Sequence, residues 1–321
     1  MGVELLISLL IAAGPAHVFQ EASGIVGRKT GDGYTLYLIE DNLNDNHVIS
    51  GEIRIAADSG DIVEIPRASF GTTTISGLNP AKKLDLESID TDPHDPAVLW
   101  LLNEGTASII LVRAKGEEYE QFREIALCES AMECVGLDSG VEGLAVLSEG
   151  GGYRVAVLAE GGDDGGELLL PRVYVFNLDA NYATVGPASE SVRLDEAGIE
   201  QLAGGDRGRN FMRATDLVWF GHVDRDEHLL VSLVSMNLSN LNNAYIACFS
   251  QDGKLCPKHR LYLPEALPKI HEGRKMCFNW EGLGWLDSAA RNRLMLVNDN
   301  ENVDSTHIFA LKASLLTDQT K

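Results

Sequence analysis

Apolar residues along this chain come in short β-branched and aromatic bursts separated by Gly-, Asn- and Asp-rich stretches, a pattern that predicts strands and turns rather than helices. One signature heads five of these bursts: Ser23-Gly24-Ile25, Glu87-Ser88-Ile89, Glu142-Gly143-Leu144, Thr215-Asp216-Leu217 and Glu281-Gly282-Leu283. A second run follows each, LYLIEDN to Asn42, LWLLNEG to Gly105, VAVLAEGG to Gly162, LLVSLVSMN to Asn237 and LMLVNDN to Asn300. Third runs come next, including Glu52 to Ile55, Ile109 to Val112, Val173 to Phe176, Tyr245 to Cys248 and Ile308 to Leu311. Turns at Gly60, Gly116, Asp179-Ala180-Asn181 and Gly253 lead to fourth runs at Ile62 to Ile65, Phe122 to Ile125, Val192 to Leu194 and Arg260 to Leu263. Four strands per repeat is a propeller blade. The expected fold is all-β, a five-bladed β-propeller forming a single domain over residues 1–321, with six blades the alternative.

The fifth unit has no fourth run of its own, since only a short polar tail follows Leu311. Val3-Glu4-Leu5-Leu6 has the right alternation, so the N-terminal strand is expected to close the last blade and remove its open edge. The same segment also reads as a signal sequence, LLISLLIAA followed by Gly14-Pro15-Ala16, but its flank carries Glu4 and no basic residue. Nine apolar-rich residues are too few to span a membrane. The strand reading is preferred and implies a cytoplasmic protein; cleavage after residues 1–16 would make it periplasmic or secreted.

The balance of 48 acidic against 26 basic residues, a formal charge of −22, argues against a nucleic-acid partner and favours cations. None of the five cysteines shows CxxC spacing, so a zinc or haem motif is not expected. Cys248 and Cys256 flank a hairpin loop at Gln251-Asp252-Gly253 and could bridge in an oxidising compartment; reduced, partly buried thiols are the other reading.

In a propeller the first strand of every blade lines the channel, so residues at equivalent repeat positions converge. Glu87, Glu142 and Glu281 form one column, joined by Ser23 and Thr215. Loops between second and third strands bring Asn103, Asp299 and many other amides and carboxylates to the same mouth. Such oxygen-rich sets suit Ca²⁺, with Mg²⁺ second, and Glu87, Glu142, Glu281, Asn103 and Asp299 are the expected ligands. Lys83, Arg209, Arg213 and Lys275 enter towards this mouth and would bind a small anionic molecule. His271 is the one histidine expected nearby. There is no GxSxG elbow and no HExxH helix.

Leu86-Glu87-Ser88-Ile89, Val141-Glu142-Gly143-Leu144 and Trp280-Glu281-Gly282-Leu283, with Leu296-Val297-Asn298-Asp299-Asn300, resemble the phytase-like, or "esterase-like activity of phytase", β-propeller proteins. Strictosidine-synthase and gluconolactonase-like propellers share such short motifs. The resemblance implies a hydrolase of an ester or phosphoester with a divalent metal in the channel. Glu142, Glu281 and His271 are then the candidate catalytic groups. A non-catalytic ligand- or protein-binding scaffold with a structural metal is the alternative, and a five-bladed glycosidase the third reading. Asp92-Pro93-His94-Asp95-Pro96 falls between a first and a second strand and is expected at the end away from the mouth.

Overall fold

Strands form where β-branched and aromatic residues can tile a pleated surface, and the chain reverses where glycine accepts positive φ. A computed structural model describes residues 21–41, 46–56, 59–66, 70–127, 140–160, 162–164, 167–202, 212–221, 227–235, 244–267, 279–299 and 306–316. Its strands are β1 (Ala22–Thr30), β2 (Gly33–Glu40), β3 (His47–Ile53), β4 (Ile62–Glu64), β5 (Phe70–Ser76), β6 (Leu86–Thr91), β7 (Val98–Asn103), β8 (Ser108–Lys115) and β9 (Glu118–Ala126). There follow β10 (Val141–Glu149), β11 (Gly152–Ala159), β12 (Gly162–Asp164), β13 (Glu167–Leu169), β14 (Arg172–Leu178) and β15 (Thr184–Arg193). The last are β16 (Met212–Gly221), β17 (Glu227–Ser235), β18 (Ala244–Phe249), β19 (Leu255–Tyr262), β20 (Asn279–Trp285), β21 (Arg293–Asp299) and β22 (Ile308–Lys312).

Antiparallel pairing gathers them into four-stranded units: β1-β2-β3-β5, β6-β7-β8-β9, β10-β11-β14-β15, β16-β17-β18-β19 and β20-β21-β22-β4, with β12 and β13 a separate ribbon. The first strands neighbour one another in a closed cycle: β1 lies beside β6 and β20, β10 beside β6 and β16, and β16 beside β20. The architecture is all-β and propeller-like. Apolar side chains fill the gaps between units, such as Trp100, Val155 and Tyr174 in one gap and Leu230, Leu296 and Phe309 in another. Buried indoles are satisfied across the gaps: Trp219 Nε1 donates to Ala145 O at 3.1 Å, and Trp285 Nε1 to Trp219 O at 2.8 Å. The inner strands approach so closely that a Cβ on Gly284 would lie 1.8 Å from Ile25 O.

The closing strand differs from the expectation. The edge of β22 is taken by β4, with Phe309 opposite Glu64, Ala310 opposite Val63 and Leu311 opposite Ile62, so the N-terminus does not fill that place. Residues 1–20 lie outside the described residues. Ile62 to Ile65 is therefore not the fourth strand of its own unit, as expected, but a loan to the last one. The outer position of the first unit belongs to β5 instead, which pairs with β3 and, in parallel, with β9 through Ile75 and Tyr119. Arg293 Nη2 anchors the crossing by donating to Ser59 Oγ at 2.8 Å and to Gly60 O at 3.1 Å. Among the described residues, no helix is long and apolar enough to cross a membrane.

Candidate functional site

Each first strand breaks register with its partner at the signature. Pairing runs from Ala22 to Gly24, Leu86 to Ser88, Val141 to Gly143, Ala214 to Asp216 and Trp280 to Gly282, leaving out Ser23, Glu87, Glu142, Thr215 and Glu281. The column expected from the repeat is thus a column of β-bulges, which free a residue from the ladder and re-aim its side chain. Residues one step on face the crowded axis. A Cβ on Gly143 would stand 2.9 Å from Leu217 N, and one on Gly282 2.8 Å from Ser23 O, so glycine is required there.

Asp216 and Ser88 use the same axial position for a polar hub. Asp216 Oδ1 accepts from Ser88 Oγ at 2.9 Å and Leu217 N at 2.8 Å, and Oδ2 accepts from Leu283 N at 2.7 Å. Ser88 Oγ in turn accepts from Leu144 N at 3.1 Å. This couples β6, β10, β16 and β20 below the mouth. The two hydroxyls of the column are also spent on neighbours, Ser23 Oγ donating to Leu86 O at 2.9 Å and Thr215 Oγ1 to Trp280 O at 2.7 Å.

The carboxylates remain, and they crowd. Asp41, Asp85 and Glu87 each offer an oxygen within 4.8 Å of the other two. Burial, a hydrogen bond with Asp85 and the charges of Asp85, Glu21 and Glu104 push Asp41 up to about 7. Glu87 is held well above the usual range by burial, then by Asp41, Glu104, Glu281 and Asp85. Glu142, surrounded by protein yet partly open to the channel, is raised by burial and by Glu87, Glu160 and Glu281, with Arg213 opposing. Glu104 and Glu160 are raised too, both chiefly by burial. Gly140 leaves the space for this crowding, since a Cβ there would stand 2.6 Å from Glu104 Oε1 and 3.2 Å from Glu142 Oε1.

Two described cations face this set. Arg213 Nη1 donates to Glu160 Oε1 at 2.9 Å, and Nη2 donates to Glu281 Oε1. Lys83 Nζ, half-exposed, pairs with Asp85. Of the four side chains expected to meet an anionic molecule, the two described, Arg213 and Lys83, are therefore engaged by carboxylates. Asn103 is buried beside the cluster as a strut: its Oδ1 accepts from Asp85 N at 2.8 Å, and its Nδ2 donates to Thr106 Oγ1 at 2.7 Å and Lys83 O at 3.2 Å. Asp299 ends β21, and its side chain is not among the described ones. His271, Arg209 and Lys275 lie outside the described residues.

Sequence reasoning missed Asp85. It stands two residues before the column, where Glu21, Gly140, Arg213 and Asn279 are its equivalents, and in a strand a step of two returns to the same face. The expected location of Asp92-Pro93-His94-Asp95-Pro96 holds, between β6 and β7. Asp92 there is a buried acceptor for Trp100 Nε1 at 3.0 Å, Tyr182 Oη at 3.2 Å and His94 N at 2.8 Å, which makes it a structural tie between units.

A propeller-like ring of sheets with carboxylates converging at one mouth defines the class of protein. Within that class, the chain matches over residues 17–302 the phytase-like family described as "Esterase-like activity of phytase", and it belongs to that family. By sequence it matches no curated protein. Among solved structures it is similar to a thermostable family-43 glycoside hydrolase, at 8% identity and a TM-score of 0.52, over 92% of this chain and 90% of that one. It is also similar to a bifunctional GH43-CE protein of Bacteroides eggerthii, at 10% identity and a TM-score of 0.50, over 95% of this chain and 34% of the other. Identities this low speak to the fold alone.

Proposed function

We propose that this chain is a five-bladed β-propeller hydrolase that cleaves an ester or phosphoester at the carboxylate-lined mouth, with Ca²⁺, or Mg²⁺ as second choice, held by Asp41, Asp85 and Glu87. The observation that carries the reading is a charge imbalance: Asp41, Asp85, Glu87, Glu104, Glu142, Glu160 and Glu281 interact at the mouth against Arg213 and Lys83 alone among the described residues. Such a set needs either protons or a cation. The donors at Asp41, Asp85 and Glu87 are all oxygen, which fits a hard divalent ion. When bound, that ion supplies polarisation of a substrate oxygen. The five-blade count rests on the cycle of first strands.

In this reading the chain's own groups handle the proton. Glu142, raised well above the usual glutamate range by burial and by Glu87, Glu160 and Glu281, holds its proton more tightly than an ordinary glutamate and can give it to a leaving oxygen. Glu281, fixed by Arg213, orients the attacking water and takes its proton. Arg213 and Lys83 are already paired with carboxylates, so an anionic substrate would depend on a cation held by Asp41, Asp85 and Glu87 to lower the negative charge of the mouth. His271, Arg209 and Lys275 remain candidates for further contacts.

The test is hydrolysis of aryl esters, aryl phosphates, lactones and aryl glycosides by the full chain, freed of metal and then supplied with Ca²⁺. Turnover should vanish without the ion and return with it. Asp85→Asn should raise the Ca²⁺ requirement by about ten-fold or more, and Glu142→Gln should lower kcat by roughly 100-fold. Ca²⁺ binding with no turnover on any substrate would select the non-catalytic scaffold, and turnover of aryl glycosides alone would select a glycosidase that uses the same two carboxyl groups.

A further inference from the structure

Away from the mouth, one cluster has donors of another kind. His228 in β17, Cys248 in β18 and Cys256 in β19 each offer one ligand atom, and the three atoms lie within 4.8 Å of one another. Strand register explains the meeting. Leu230 stands opposite Cys248, so His228, two residues earlier, shares the face of Cys248. Between β18 and β19 the pairing jumps from Phe249 opposite Leu255 to Ala247 opposite Arg260, so the stretch from Cys256 to His259 bulges against Cys248. Pro257, which has no N–H to give a ladder, suits that bulge. Gly253, at φ +78°, turns the hairpin that brings Cys256 back.

Both cysteines are free thiols, Cys248 buried and Cys256 half-buried, and His228 is half-buried. Cys248 belongs to the core that also holds Leu230, Leu294 and Leu316, which backs the cluster on its inner side. We propose that His228, Cys248 and Cys256 form a binding site for a thiophilic cation, Zn²⁺ first, with the fourth position open to solvent. Two sulfurs and an imidazole are the donors that Zn²⁺ or Cu⁺ prefers, whereas Ca²⁺ and Mg²⁺ take oxygen. With metal–ligand bonds of about 2.0–2.3 Å in a tetrahedron, ligand atoms stand roughly 3.3–3.8 Å apart, so the donors need to close by only about an ångström. Each thiol releases its proton to solvent as it binds and no oxidant takes part. The chain would thus sort cations, hard ions to the mouth and a soft one to this sheet.

The full chain, reduced and freed of metal, would be titrated with Zn²⁺ against a chromophoric chelator and, separately, with Co²⁺ as a spectroscopic probe. The expected result is stoichiometric Zn²⁺ binding that excess Ca²⁺ does not displace, a thiolate-to-cobalt charge-transfer band, and the intense visible bands of tetrahedral cobalt. Cys256→Ser and His228→Asn, changes at half-buried positions, should each weaken Zn²⁺ binding by about 100-fold or more, the upper end of what loss of a mere supporting residue does. Replacing Cys128, Cys134 and Cys277 together by serine should leave the signal intact. Since Cys248→Ala could fail to fold, thermal midpoints in metal-free buffer would be compared for every variant. Loss of the signal in the triple-serine chain would overturn the proposal, as would an absence of charge transfer or a Cys248–Cys256 disulfide that re-forms in air and blocks Zn²⁺.

Discussion

Asp216 is where the inner packing can be tested most sharply. It is fully buried and accepts from Ser88 Oγ, Leu217 N and Leu283 N. Asp216→Ala leaves these donors without an acceptor. The two backbone N–H groups cannot turn away, and at about 1–3 kcal/mol for each unsatisfied buried donor the loss is roughly 2–6 kcal/mol. A domain stable by about 5–15 kcal/mol would lose much of its margin. Asp216→Asn keeps the shape and one oxygen but turns an amide N–H₂ towards a donor, and should cost about 1–3 kcal/mol. Urea unfolding followed by tryptophan fluorescence measures both. The pH dependence is a second arm. Burial holds Asp216 well above the usual aspartate range, whereas the unfolded chain ionises it near pH ~4. Between those values the folded state binds the extra proton, so this contribution is present in full below the unfolded value and is lost as pH rises. The stability of the parent relative to Asp216→Asn should therefore be largest in acid and fall, by at most about 1.4 kcal/mol per pH unit, from about pH 4 until the folded carboxyl ionises as well. A gap that stays flat or widens with pH would refute the burial argument, and an alanine variant within about 0.5 kcal/mol of the parent would refute the hub.

Two further substitutions probe the ring. Gly284→Ala sets a methyl group 1.8 Å from Ile25 O and should prevent folding or cost more than about 3 kcal/mol, while Gly71→Ala in β5, with nothing within 4 Å, should fall within about 1 kcal/mol of the parent in thermal unfolding. Val63→Asp buries a carboxylate opposite Ala310 in the closing strand and should cost at least about 3 kcal/mol, with the early cleavage in limited proteolysis falling in the last unit; a neutral outcome there would contradict closure by β4.

How far the sequence discloses this molecule follows from what each residue is required to do. The signature is legible because a bulge followed by a crowded axial step admits only a polar residue and then Gly, Ser or Asp, whatever the blade. β5 escapes notice because its Thr72, Thr73 and Thr74 serve an outer strand with little to bury, so no apolar alternation marks it. β4 shows the opposite problem. Its alternation is visible, but alternation declares a strand without saying which sheet receives it, and its partner β22 is distant in sequence. Asn103 looks like a ligand because amides do bind cations, yet its buried carbonyl oxygen is committed to Asp85 N. The residues two before the column, Glu21, Asp85, Gly140, Arg213 and Asn279, share a place but no chemistry, so no repeat search unites them.

That unpatterned position is what gives the mouth a direction. If every unit supplied the same residue there, the ring would be electrostatically even and a ligand would have no preferred seat. Arg213 instead pairs with both Glu160 and Glu281 on its own side, with side chains that are mostly buried and a guanidinium held in its charged form by those two carboxylates and Glu142. On the other side the corresponding residue is Asp85, which adds a negative charge to Asp41, Glu87 and Glu104, and the answering Lys83 is a half-exposed point charge that solvent can draw away. A mostly buried arginine that bridges two carboxylates is hard to displace, and an exposed lysine is not. In the proposed reading a cation at this mouth therefore meets one filled half and one open half, and the open half lies between the first and second units, where Asp41, pushed up to about 7, meets Asp85. The irregular step beside the repeat, rather than the repeat itself, sets the charge asymmetry on which the proposed function rests.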